Sequence, residues 1–342
     1  MKTNDMLKSG GIIIAMMAIL IGLWQLSTRL SPDALVQTDG PFALDLDSLG
    51  EVDPALRTWR ESGRIALDLE ILFGLAVKGD VVYVTGDQYL LEFVDGRERA
   101  RHELGGEAFC LDIAKNGEIY LGMDNHIEVR NPDGTLKATW QTPDPRTLIT
   151  AIAVAESGVY CADAGKRVVY RHDFDGNIVL HIGGPDDETG YAGFSIPSPY
   201  FDLAIGYEGY LWAVDPGKHL IKNFLPDGSL RSSWGKTSPA IDGFCGCCNP
   251  TNIAIFPDGS FVTSEKGLNR IKVYAPTGDL TSVVAAPDQF SQGSVGLDLG
   301  IDSRGRILVL DPKTKVIRIF TNAAKPQTKL GSELSPVSSE GM

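Results

Sequence analysis

A chain of 342 residues with 44 acidic against 31 basic side chains carries a formal charge of -13. Nucleic-acid binding needs a basic surface to displace counterions from phosphate, so this balance argues against nucleic acid as a partner. Apolar residues make up 43% of the chain and glycine occupies 38 positions, which suits a large core cut by many turns, and five cysteines leave at least one thiol unpaired in a monomer.

The chain begins with Lys2 and Lys8, followed by the uncharged run Gly10–Leu26, and then turns acidic at Asp33, Asp39, Asp45 and Asp47. A run of that length is near the lower limit for a membrane span, and positive charge stays inside. The expectation is a short cytoplasmic N-terminus (1–9), an uncleaved transmembrane anchor (10–28) and a tether (29–61), with the remainder on the periplasmic or extracellular side. A cleaved signal peptide is the alternative, but no small-x-small cleavage site or lipobox cysteine follows the run.

From about residue 62 the chain repeats itself. Turns at Gly79-Asp80, Asn116-Gly117, Ser157-Gly158, Glu208-Gly209, Asp258-Gly259 and Arg304-Gly305 are spaced by 38, 41, 51, 50 and 46 residues between glycines, a period for four short strands. A second set, Asp95-Gly96, Asp133-Gly134, Asp175-Gly176, Asp227-Gly228 and Thr277-Gly278, divides a third strand from a fourth. The sixth unit lacks this second turn and ends at Phe320. Ahead of the first unit stands an orphan piece, Ser62–Leu69, which reads as a turn and then a strand from Ile65. Completing the last sheet with that strand closes a ring and removes exposed edges. The fold class is therefore all-β, a six-bladed propeller of four-stranded blades over 62–322, closed by an N-terminal strand and preceded by one transmembrane helix. The polar tail 323–342 is expected to be disordered.

The stretches "IAVAESGVYCADAGKRVVYRHDFDGNIVLHIGG" and "IAIFPDGSFVTSEKGLNRIKVYAPTGDL" resemble NHL repeats, in which a DG turn, an apolar strand, an Asp and an Arg before the third strand mark each blade. The resemblance spans roughly Ile65 to Phe320, and units one and two depart from it most. It implies a propeller, and it implies an interaction platform, a lactonase-like hydrolase or a lyase for the activity.

One loop breaks the repeat. Gly243-Phe244-Cys245-Gly246-Cys247-Cys248-Asn249-Pro250 holds three of the five cysteines and lies between units four and five. Sulfurs so close would hold a soft metal or an iron–sulfur cluster, form a labile disulfide, or stay free. Cys110, seven residues before a turn glycine, is the candidate fourth sulfur, facing the same end of the ring. Its plain alternative is a small residue in a tight inner strand, and Cys161 reads as a core thiol. The spacing matches neither paired CxxC nor the ferredoxin run.

A second candidate set consists of acids. Asp202, Asn252 and Asp298 share the inner-strand position of Cys110 and would face a central channel, where they would bind a cation. Asp124, Asp163, Asp215, Glu265 and Asp311 recur after the second strand. They fit either a hard-cation ring or, better, turns that bond their own backbone. The five histidines are scattered and read as surface or partly packed. No nucleophile elbow or phosphate-cradling loop occurs. Tyr191, Phe194, Tyr200 and Phe244, on insertions at one end of the ring, are expected to offer aromatic contact area.

Three functions follow as expectations: a membrane-tethered module that binds protein partners through the cysteine loop; a metal-dependent hydrolase or lyase using Asp202, Asn252 and Asp298; or a structural subunit of an envelope membrane complex. The first agrees best with rigid sheets carrying variable loops.

Overall fold

A computed structural model describes residues 50–323, except 143, 145 and 185–190. The expected N-terminus (1–9), anchor (10–28), most of the tether and the tail from 324 lie outside the described residues. Among the described residues no helix is long and apolar enough to cross a membrane.

Six four-stranded antiparallel sheets form the blades of a propeller. Their innermost strands are Leu72–Lys78, Ala108–Ile113, Ile149–Ala155, Leu203–Ile205, Asn252–Ile255 and Leu299–Ile301, in chain order from blade one to blade six. In blades one to five each sheet runs outward in sequence order. Blade six runs Leu299–Ile301, Ile307–Asp311, Val316–Asn322 and then Trp59–Ala66, so its outermost strand comes from the other end of the chain.

That closing strand departs from expectation in two ways. It starts at Trp59, inside the segment read as tether, and stops at Ala66. The Ser62-Gly63 pair, expected as a turn before the strand, is a bulge within it, between the pairs Glu61↔Phe320 and Gly63↔Ile319. A bulge and a turn use the same small residues, and only the partner strand distinguishes them. Leu67 and Leu69 lie past the strand but are buried in the core.

The second strands of blades two, three, five and six, Ile119–Met123, Gly158–Asp163, Phe261–Glu265 and Ile307–Asp311, are buried at every position. Each blade is covered on both faces by its neighbours, so these strands are mostly apolar rather than alternating, except Phe261–Glu265, which buries Thr263, Ser264 and Glu265. Each Val, Leu or Ile so enclosed contributes about 1.5–3 kcal/mol. Outer strands face solvent, as in the exposed Arg97–Glu103. Blades also lock through their turns: Gly278, at φ +88, lies under Trp234 of the preceding blade, where a Cβ would come 3.1 Å from the indole.

Because strands alternate in direction, the loops from second to third strands and the crossovers between blades share one end of the ring. Three crossovers there are long, spanning 183–202, 235–251 and 286–298.

Candidate functional site

The cysteine loop lies in the crossover from blade four to blade five and is built into the sheet beneath it. Phe244 N donates to Lys236 O at 2.9 Å and Ser238 N to Phe244 O at 3.1 Å, which closes a small knot before the cysteines. Lys272, from the third strand of blade five (Arg270–Tyr274), donates through Nζ to Gly243 O at 2.7 Å and to Ile241 O at 3.1 Å. After the cysteines, Asn249 reaches the turn that follows Glu265. Its Nδ2 donates to Cys245 O at 2.7 Å and Lys266 O at 3.0 Å, and its Oδ1 accepts from Lys266 N at 2.9 Å. The loop is thus tied at both flanks to one blade.

Beneath it sits a buried ion triplet. Arg270 Nη2 and Lys272 Nζ each stand 2.7 Å from Glu265, and all three side chains are fully enclosed. Burial pushes the Lys272 amine down to about 8, with Glu265 acting against the shift. The same guanidinium approaches Cys245 Sγ at 3.5 Å through Nη2, and its Nη1 has no partner among the described residues. Burial raises the half-buried Cys245 thiol, with the charge of Arg270 opposing that rise.

The other two sulfurs form a pair. Cys247 Sγ and Cys248 Sγ are 2.9 Å apart, Cys247 exposed and Cys248 buried. Burial raises the Cys248 thiol, yet hydrogen bonds from Cys247, Ser198 and Lys266 outweigh it and hold the group below its ordinary value. The bond to Cys248 raises the thiol of Cys247. Lys266 Nζ also donates to Ser198 Oγ at 2.8 Å and stands 4.5 Å from the centre of the Tyr200 ring.

Cys110 does not join this set. It is buried in a core cluster with Cys161, and its sulfur fills the space that a Cβ at Gly122 would need. Among the described residues no group of three or more His, Cys, Asp or Glu side chains converges as a metal would require. An iron–sulfur cluster normally takes four thiolates, and the donor set arranged here does not fit one.

The aromatic residues divide. Phe244 and Phe194 are buried, 1% and 6% exposed, where contact area was expected. They act as plugs: Phe244 packs on Trp234 and Tyr274 with Lys272 Nζ 4.7 Å from its ring centre, and Phe194 packs on Tyr191, Phe201 and Phe224. An insertion crossing the end of a sheet gains more by folding its largest apolar side chain into the blade than by presenting it to water. Tyr191 and Tyr200 stay partly exposed.

The six innermost strands line an axial cavity of about 720 Å³. Asp202 and Asp298 face it, and so does Asp112, which stands five residues before its turn glycine where the counted position is seven and so fell outside the sequence pattern. Each carboxylate plays the same part. One oxygen accepts from the next residue's N–H (Ile113, Leu203, Leu299; 2.7–2.8 Å), and the other accepts from the neighbouring blade (Val154 N 2.7 Å, Ile253 N 2.8 Å, Leu75 N 2.7 Å). Blades two, four and six are thereby stapled to three, five and one. Burial raises Asp112 and Asp298 to about 6, and burial with repulsion from Asp298 also raises Asp202 well above the usual carboxylate range. Asn252 Nδ2 stands between, 3.3 Å from Asp298 Oδ1.

The acids after the second strands are structural. Asp163 Oδ1 accepts from Leu148 N and Lys166 N, Asp215 Oδ1 from Ser195 N, and Asp311 Oδ1 from Lys313 N and Ser294 Oγ. Each fixes the loop that enters its blade, while Asp124 is exposed. Two histidines expected near the surface are instead buried, His172 and His219, and burial lowers His172 to about 4.

No known family pattern and no curated relative matches the sequence. Among solved structures the chain is similar to a streptogramin B lyase, with TM-score 0.55, 14% identity, 79% of this chain and 99% of that one covered. It is also similar to a structural genomics protein of unknown function from Bacteroides thetaiotaomicron (0.57, 15%, 77% and 72%) and to the WD40 propeller domain of Doa1 (0.53, 13%, 77% and 97%). Identities this low carry the propeller fold and nothing finer.

Proposed function

We propose that this chain is an NHL-type propeller, held at the membrane by its N-terminal segment and facing outward, that binds protein partners through the end of the ring carrying the long crossovers. The cysteine loop is the centre of that surface. The observation that supports this most is the investment in pinning the loop: a fully buried Lys272, an Asn249 amide using all its hydrogen-bonding atoms, and a Phe244 plug hold it in one shape while Cys247 remains exposed. A preorganised loop on a rigid blade is what specific recognition needs.

A photo-crosslinking residue placed at Gly246 in the full chain, in its native membrane, should trap a discrete partner. The same residue at Gly228, in a turn of the opposite end, should not. Equal labelling from both ends, or capture unchanged after Cys245, Cys247 and Cys248 are replaced by Ser, would overturn the proposal.

The second reading is a propeller hydrolase or lyase using Asp202, Asn252 and Asp298. The axial cavity with acids of raised affinity for protons favours it. Against a cation there, every oxygen of Asp202 and Asp298 already accepts a backbone N–H, and a proton competes for the same carboxylates. Stoichiometric metal in the purified protein, lost in Asp202→Ala, would move the balance to this reading. Metal or sulfide lost instead with the cysteine loop would mark a soft-metal or iron–sulfur centre completed by donors beyond those arranged here.

A further inference from the structure

Binding alone does not call for two adjacent thiols, and their surroundings differ in a way that suits chemistry. Cys247 is exposed and Cys248 is buried, with their sulfurs 2.9 Å apart. The bonds of Asn249 to Cys245 and Lys266 fix the backbone around the pair. On its inner side Cys248 meets Ser198 and Lys266, a hydroxyl and an ammonium suited to a sulfur anion. Cys245 is occupied elsewhere, beside Arg270.

Resting on the binding reading above, we propose that Cys247 and Cys248 are a thiol–disulfide exchange pair that reduces a disulfide presented by the partner, Cys247 taking the incoming sulfur and Cys248 resolving it. In the first step Cys247 gives up its proton to solvent and attacks one sulfur of the partner's R–S–S–R′. That bond breaks, Cys247–S–S–R forms, and R′S⁻ leaves to take up a proton. In the second step Cys248, having given its own proton to solvent, attacks Cys247 Sγ as the thiolate. The bond to R breaks, RS⁻ leaves and is protonated, and a Cys247–Cys248 disulfide remains. The pair has lost two electrons and the partner's disulfide has become two thiols.

The assignment of roles follows from access, since only Cys247 can meet a bulky disulfide. The lowered Cys248 thiol fits the second role, because a resolving sulfur acts as soon as the mixed disulfide forms. The disulfide product closes a strained eight-membered ring, and strained disulfides are the ones that reopen readily. Oxidation also converts the Cys248 thiol that faces Lys266 and Ser198 into a neutral disulfide sulfur, at the edge of the surface where Tyr200 sits.

The full chain, reduced and freed of reductant, is mixed with 5,5′-dithiobis(2-nitrobenzoate), an aromatic disulfide. Expected is release of two thionitrobenzoates from the pair, no retained adduct on it, and a peptide in which Cys247 and Cys248 are disulfide-linked. Cys248→Ser should release one from this site and keep a stable adduct on Cys247. Lys266→Met, which removes the ammonium beside Cys248, should slow the second release and leave the first unchanged. A stable adduct on the wild-type pair, or no linked peptide, overturns the proposal, and the linked peptide is read on wild type even if a variant fails to fold. Exchange lost with crosslinking at Gly246 intact would dismiss this inference alone. Crosslinking absent from Gly246 with exchange intact would dismiss the binding reading instead.

Discussion

Blades one to three and blades four to six share a sheet plan but differ in what enters them. The first half has shorter crossovers, and the middle of its third strands carries Leu91, Glu128 and Tyr170. In the second half that position is Lys222, Lys272 and Arg318, each buried beneath an aromatic side chain of the long crossover that precedes the blade. Lys222 stands 4.7 Å from the Tyr191 ring centre, Lys272 4.7 Å from Phe244, and Arg318 4.8 Å from Phe290. Arg318 Nη1 also bonds Gln289 O at 2.9 Å. A cation desolvated under an aromatic face is worth about 2 kcal/mol or more, and Lys272 and Arg318 also cap loop carbonyls while Lys222 bonds Tyr191 Oη and Asp215. The lesson is that the elaborated end is assembled from one device used three times, in which a strand supplies a charge and an insertion supplies the ring.

Breaking the device at its most enclosed point should have the largest effect. Glu265→Ala strips two buried cations of their counter-ion and should cost about 3–5 kcal/mol in denaturant unfolding. Phe244→Ala should cost about 3 kcal/mol by the same measurement, with increased proteolytic cutting between 236 and 250. Asp112→Asn tests a feature common to both halves. Its folded pKa is raised from 3.8 to about 6, so between those values the folded state binds the proton more tightly than the unfolded one. Stability therefore falls as pH rises through that window, by on the order of 2 kcal/mol from this group, and the variant should flatten that part of the profile. Glu92→Ala, in blade one, should cost least, about 1 kcal/mol. Its partners Arg99 and His102 are both partly exposed and return to water when Glu92 is lost.

The period and the turns were legible because they are local, and the borrowed closing strand because the sixth unit lacks a fourth strand of its own. The cysteine loop was legible as an interruption of that period. Lys222, Lys272 and Arg318 were not, since a cation in the middle of a strand looks like the solvent half of an alternation until the insertion that covers it is placed. Phe244 was misread for the complementary reason, an aromatic on a loop whose pocket lies in a strand some thirty residues on. Asp112 was hidden because it does the same work from a position two residues nearer its turn than Asp202 and Asp298, which a fixed count from the turn glycine does not reach.

The sheet shared by both chain ends also sets an order of events. Ser62 Oγ bonds Ile319 O across 257 residues of sequence, so the strand synthesised first waits for the strand synthesised last. Blades one to five can form from contiguous chain as it emerges, whereas the sixth sheet pays the loop-closure entropy of nearly the whole domain. Closure of the ring is therefore the late step, and until then blades one and five each wait for a neighbour on one side. Anything that holds the Trp59–Ala66 strand aside delays completion of the fold without altering one residue of its core.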